Sequence, residues 1–129
     1  MRINYDCVRD VLLSLEELLV LEDDLSMNFI PLDRLCLALS DYPRHDVAYT
    51  LLMLKDANYL EVNVIDSDFG MLGMSVYGIT FEGHKYLDTV RCSPIWEETK
   101  KTFKNKAIEM TVDTILLVAK TIIQSRLIS

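Results

Sequence analysis

The sequence predicts an α+β winged helix with a helical C-terminal extension. Two observations carry the prediction. Three amphipathic helical stretches come first, and two strand-like runs around a turn-rich loop follow, which is the order of a helix-turn-helix core and its wing. The chain has 129 residues, 50% apolar and 26% charged, enough for one domain with an appendage and too few for two full-sized domains. The expected division is a winged-helix domain over 1–92 and a helical extension over 93–129.

The first helix is expected from about Asn4 to Leu21. Val8, Val11, Leu12, Leu15, Leu18 and Leu19 recur every three or four residues, the stripe of a helix with one buried face. Asn4 suits the N-cap, Asp6 suits the first turn, and the acidic run Glu22, Asp23, Asp24 suits a solvated loop beyond the end. Met27 to Ile30 reads as a short strand placed to pair with the hairpin. Pro31 then opens a second helix to about Leu39, with Asp33 in its first turn. Pro43 opens a third, with Val47, Leu51 and Leu54 as its stripe, ending near Ala57 or Asn58.

Tyr59 to Ile65 alternates, with Leu60, Val62 and Val64 on one side and Glu61 and Asn63 on the other, the pattern of a half-buried strand. Asp66 to Gly73 reads as a loop and Met74 to Ile79 as the returning strand. Thr80 caps a fourth helix whose apolar positions are Tyr86, Leu87 and Val90. Ser93 with Pro94 starts a fifth, anchored by Ile95, Trp96 and Phe103. Met110 to Leu127 forms the last helix, with an apolar side of Val112, Ile115, Leu116, Ala119, Ile122, Ile123 and Leu127.

Cys7, Cys36 and Cys92 show no CxxC pairing, as expected of buried structural cysteines in a reducing compartment. No basic segment followed by an apolar stretch opens the chain, and Asp113, Lys120 and Arg126 interrupt the last helix. The reading is a soluble cytoplasmic protein without a membrane segment.

The stretch Ile79-Thr-Phe-Glu-Gly-His-Lys-Tyr-Leu-Asp88, followed by Val90-Arg91 and Ile95-Trp96, resembles a family of small phage and prophage proteins, the domain of unknown function 2513, related to YjcQ-like winged helices. The pattern Leu51-Leu52-Met53-Leu54-Lys55-Asp56-Ala57-Asn58-Tyr59-Leu60 is similar as well. Asn58 stands where that family has glycine, a mild departure because asparagine tolerates a left-handed cap. The resemblance implies a fold and a phage context. It implies no activity and no catalytic residues.

No motif names a reaction. GxGxxG, P-loop, GxSxG and HExxH patterns are absent, so no catalytic residue, cofactor or metal is expected, and the chain reads as a non-enzyme. His84 has no second histidine or cysteine at ligand spacing and reads as a structural or surface residue. The carboxylate pairs Glu16 with Glu17 and Asp66 with Asp68 read as solvated surface.

Charge separates the remaining classes. Thirteen Lys and Arg stand against twenty Asp and Glu, a net charge of −7. Residues 1–97 carry −10 and residues 98–129 carry +3. DNA readers neutralise phosphates with Lys and Arg, and neither the third helix nor the acidic wing is equipped for that. The leading expectation is therefore a phage or prophage accessory protein that binds a protein partner. The alternative is a dimeric DNA-binding regulator, and a weaker one is an acidic DNA mimic that occupies a host nuclease. Candidate contacts to a partner or to DNA are Arg44, His45, Tyr49, Lys100, Lys101 and Lys104. Candidate positions for a homodimer through the last helix are Val112, Ile115, Leu116, Ala119, Ile122 and Ile123. The bland alternative for that helix is folding back on its own chain.

Overall fold

The computed structural model describes residues 1–66 and 72–128. The elements run α1 (Tyr5–Leu18), β1 (Ile30–Pro31), α2 (Leu32–Ala38), α3 (Arg44–Asp56), β2 (Leu60–Asp66), β3 (Leu72–Ile79), α4 (Phe81–Val90), α5 (Ser93–Lys106) and α6 (Val112–Ile128). The protein is thus α+β, and its antiparallel sheet has the order β1-β3-β2. The chain divides into two compact units, Met1–His84 and Lys85–Ser129.

In the first unit α1 starts where expected, because the Asn4 side chain accepts a hydrogen bond from the Cys7 N–H. It stops three residues early. Asn28 is the cause: its amide donates to the Leu18 carbonyl and its oxygen accepts from the Val20 N–H, each at 2.8 Å. These bonds satisfy backbone groups at the helix end and turn the chain into an arm over residues 19–28. The expected strand at Met27 to Ile30 is correspondingly split. Met27 forms an isolated bridge with Leu21, and the sheet strand is Ile30–Pro31. Leu25, at the tip of the arm, has φ 69° and is 78% exposed.

The core of this unit is the stripe Cys7, Val11, Leu12 and Leu15 of α1 against Leu35, Val47 and Leu51, with Val62, Met74 and Val76 from the sheet. Thr50 is buried among them and spends its hydroxyl on the Asp46 carbonyl at 2.7 Å. Pro31 and Pro43 precede their helices as caps without a side-chain bond, so each helix begins one residue later than expected. α3 ends in a Schellman arrangement: Asn58 sits at φ 62°, its N–H reaches the Lys55 carbonyl, and the Tyr59 N–H reaches the Leu54 carbonyl.

β2 and β3 pair from Leu60 with Ile79 to Asp66 with Leu72. Glu61 faces Gly78 and Val62 faces Val76, so Tyr77 is an extra residue, a bulge. The expected loop from Asp66 to Gly73 is shorter at both ends, since Asp66 and residues 72–73 are in strands; Asp68 lies outside the described residues.

In the second unit Ile95, Trp96, Thr99 and Phe103 form the buried side of α5. Its cap is Cys92 and Ser93 is already helical, a shift of one residue from the expected start. This places Cys92 in solvent and corrects the expectation of three buried cysteines: Cys7 is buried, Cys36 half-buried and Cys92 exposed. α5 closes with Ala107 at φ 54°. Thr111 and Thr114 then exchange backbone N–H to hydroxyl bonds at 3.1 and 2.9 Å, a reciprocal cap that starts α6. α6 packs back against α5, and Arg126 near its end pairs with Glu98 near the start of α5. No helix among the described residues is long and apolar enough to cross a membrane.

Candidate functional site

The two stretches that carry the family resemblance meet in space. The Thr80 hydroxyl donates to the Asn58 carbonyl at 2.6 Å, and the Thr80 N–H donates to the Tyr59 carbonyl at 3.0 Å. The same hydroxyl accepts from the Gly83 N–H at 3.1 Å, which makes Thr80 the N-cap of α4. Gly83 is buried against that junction. A Cβ on it would stand 2.2 Å from the Tyr59 carbonyl oxygen and 2.9 Å from Ile79 Cγ2. Thr80 and Gly83 therefore join the start of α4 to the end of α3, and both have a structural task. His84, the next residue, is exposed.

His84 lines a groove of about 300 Å³ with Leu15, Glu16, Leu19, Leu21, Met27, Glu61, Gly78 and Ile79. α1 supplies one wall, the 19–28 arm another, and the base of the β2–β3 hairpin the third. Its walls are largely aliphatic. Its charged members are two carboxylates, and no lysine or arginine is among the lining residues. Glu16 is half-buried here, where the sequence suggested a solvated face. Glu61 lies over Gly78, with Oε2 3.3 Å from the place a Cβ would take. The arm is held by Asn28 and by a turn in which Ser26 donates from its hydroxyl (2.6 Å) and its N–H (2.9 Å) to Asp24. Those two bonds favour the Asp24 carboxylate and lower its pKa.

A second surface feature is an aromatic pair. Phe29, just before β1, and Tyr77, at the bulge, have ring centroids 5.8 Å apart. They are 55% and 41% exposed, on the opposite side of β3 from the buried Met74 and Val76. Ile65, on β2, is exposed too. Nothing in the sequence pattern marked Phe29 or the groove, because both depend on the arm that Asn28 folds.

The predicted contact residues fall in different places. Arg44 is exposed but is paired with Asp33, whose hydrogen bond and charge raise the guanidinium pKa. His45 Nε2 lies 3.2 Å from the Asp46 carboxylate, and Tyr49 is half-buried. Lys100, Lys101 and Lys104 share one face of α5. Lys100 is half-buried, 3.3 Å from Glu97 and 5.8 Å from the centroid of the Trp96 ring. Lys101 and Lys104 are exposed. On α6, Ile115 and Ala119 are 0% exposed, so a second copy finds no surface on them. Val112, Leu116, Ile122 and Ile123 are half-buried at the flanks. Among the described residues no group of three or more His, Cys, Asp and Glu is arranged to hold a metal ion.

Comparison with known proteins places these features in a family. A family model described as "Hypothetical protein (DUF2513)" matches residues 2–109. An uncharacterized protein of Haemophilus influenzae (strain ATCC 51907 / DSM 11121 / KW20 / Rd) is 29% identical over 128 residues, covering 98% of this chain and 99% of that one. No solved structure matches. The chain belongs to the DUF2513 family of hypothetical proteins.

Proposed function

We propose that the chain is a non-enzymatic accessory protein of a phage or prophage, which uses a winged-helix scaffold to bind a protein partner. The support for the winged helix is the element order: three helices, then a hairpin whose second strand pairs with the short strand between α1 and α2. The phage setting rests on the resemblance carried by Thr80 to Trp96.

The observation that carries the binding reading is the Phe29–Tyr77 pair. Two aromatic rings in mutual contact are exposed on a unit with five Lys or Arg against fifteen Asp or Glu. Exposed aromatics with a polar, charged surround are the usual composition of a protein-docking surface. The same charge opposes DNA. The unit carries −10, and Arg44 on α3 is already engaged by Asp33.

The test uses the intact protein, immobilised and exposed to lysate of its host, beside a Phe29→Ser/Tyr77→Ser double variant. The expected result is a retained protein that the double variant loses while its circular dichroism is unchanged. Equal retention by both proteins, or none by the wild type, overturns the reading.

A further inference from the structure

We infer that the outer edge of β2 takes up an extended basic segment of the protein partner as an added strand. The inference rests on the protein-binding reading and says how the partner is held. In the order β1-β3-β2 the strand β2 is an outer one, and among the described residues it packs on β3 and on α3, the helix that leads into it. The direction of its backbone follows from the base of the hairpin. The Thr80 N–H donates to the Tyr59 carbonyl, so Tyr59 turns its backbone groups toward β3. That direction alternates along a strand, and the bulged residue that interrupts the ladder belongs to β3. Glu61, Asn63 and Ile65 therefore turn toward β3 as well. Leu60, Val62, Val64 and Asp66 turn their N–H and carbonyl groups to the open edge. A row of donors and acceptors at that spacing matches another extended backbone.

The edge lacks the devices that usually keep such a strand single. β2 reads Leu60-Glu-Val-Asn-Val-Ile-Asp66, with no lysine, no proline and no bulged residue of its own. Its charge fixes the chemistry of the occupant. Glu61 and Asp66 are exposed, β2 has no cation, and the unit carries −10. A second copy would bring the same charge against it, whereas a basic segment is drawn in. Glu61 and Ile65 are exposed on the outer face of the strand. The added strand therefore places an apolar residue across from Ile65 and a basic one across from Glu61. Arginine and lysine are long enough to reach the Glu61 carboxylate where it lies over Gly78. Tyr77 stands on β3 opposite the Glu61–Val62 step, so the aromatic pair belongs to the same sheet, one strand in from this edge.

The test titrates the isotopically labelled full chain with a blocked heptapeptide, threonine-isoleucine-valine-threonine-valine-arginine-threonine. Antiparallel to β2, it sets isoleucine across from Ile65, arginine across from Glu61 and both valine N–H groups toward β2. At low salt the expected result is saturable amide shifts centred on Val62, Val64 and Asp66. Methylating the two valine nitrogens should abolish binding. Methylating those of isoleucine and arginine, which face away, should leave most of it. Val64→Pro removes an outward N–H that β3 does not use, a place where edge strands tolerate proline. It should weaken binding about tenfold with circular dichroism unchanged. Ile65→Lys, which puts a cation on the strand, should weaken it as well. Shifts that are absent at millimolar peptide, scattered over the surface, or lost equally with either methylation overturn the inference. So do β2 shifts that grow with the protein's own concentration, which would assign the edge to a second copy. The lysate capture separates the inference from the reading beneath it. If Val64→Pro still captures the partner that Phe29→Ser/Tyr77→Ser loses, the edge assignment fails and the docking surface stands. If the wild type captures nothing, the reading fails and the inference with it.

Discussion

Gly83 lies so close to Tyr59 that even a methyl group has no room: its Cβ would stand 2.2 Å from the carbonyl oxygen. The contact is with backbone, which cannot rotate away. Gly83→Ala must therefore push α4 off the end of α3 and strain the Thr80 bonds that bind the two. A loss of about 1–3 kcal/mol or more is expected, as for overpacked interiors. Urea unfolding checks it. A midpoint within error of wild type would mean that the junction is softer than its geometry implies.

Tyr42 gives a pH signature. Its hydroxyl donates to Asp10 at 2.6 Å, and burial followed by this bond raises its pKa well above the usual 10.0. The sign follows from linkage. The folded protein holds this proton more tightly than the unfolded chain, so the contribution is fully present below pH 10. It is lost as pH rises toward the folded value. Stability should fall on the alkaline side, and Tyr42→Phe should flatten that fall while costing some stability near neutrality. Thermal melts at pH 8 to 11 for both proteins test this. Parallel curves would show that Tyr42 does not carry the dependence.

Ile115 and Leu117 sit two residues apart on α6, at 0% and 67% exposure. Ile115→Ala should cost about 2–5 kcal/mol, the range for emptying a buried aliphatic site. Leu117→Ala should stay within about 0.5 kcal/mol. Denaturant melts of the two variants decide whether α6 is held by its own chain. Similar small effects would indicate that its buried face contributes little.

Duplex DNA should not bind. Fluorescence anisotropy with mixed-sequence duplex at low salt is expected to stay flat, because Arg44 is neutralised by Asp33 and the first unit carries −10. Micromolar binding that weakens steeply with added salt would favour a regulator working through Lys100, Lys101 and Lys104.

Much of the architecture was legible from residue spacing. The stripes of α1 and α3 and the alternation of β2 report burial directly, since period sets which face is covered. Asn4 and Thr80 act as the caps that their residue types announce. What was hidden depends on contacts across the sequence. Asn28 stops α1 ten residues upstream through a side-chain bond, and no local pattern signals it. The groove follows from that arm. Phe29 and Tyr77 meet only because the bulge and β1 bring them together, 48 positions apart. Gly83 was visible as part of a motif, but its reason, the Tyr59 carbonyl, lies on another element.

The arm over residues 19–28 also exposes a site for limited proteolysis. Leu25 stands in solvent at the tip of a turn, the kind of site that proteases cleave first. Leu21 on one side of the tip and Met27 on the other both face the groove. The cut would also be consequential. With that one peptide bond open, the wall formed by the arm becomes two chain ends, joined across the gap by the Leu21–Met27 bridge and by the bonds of Asn28.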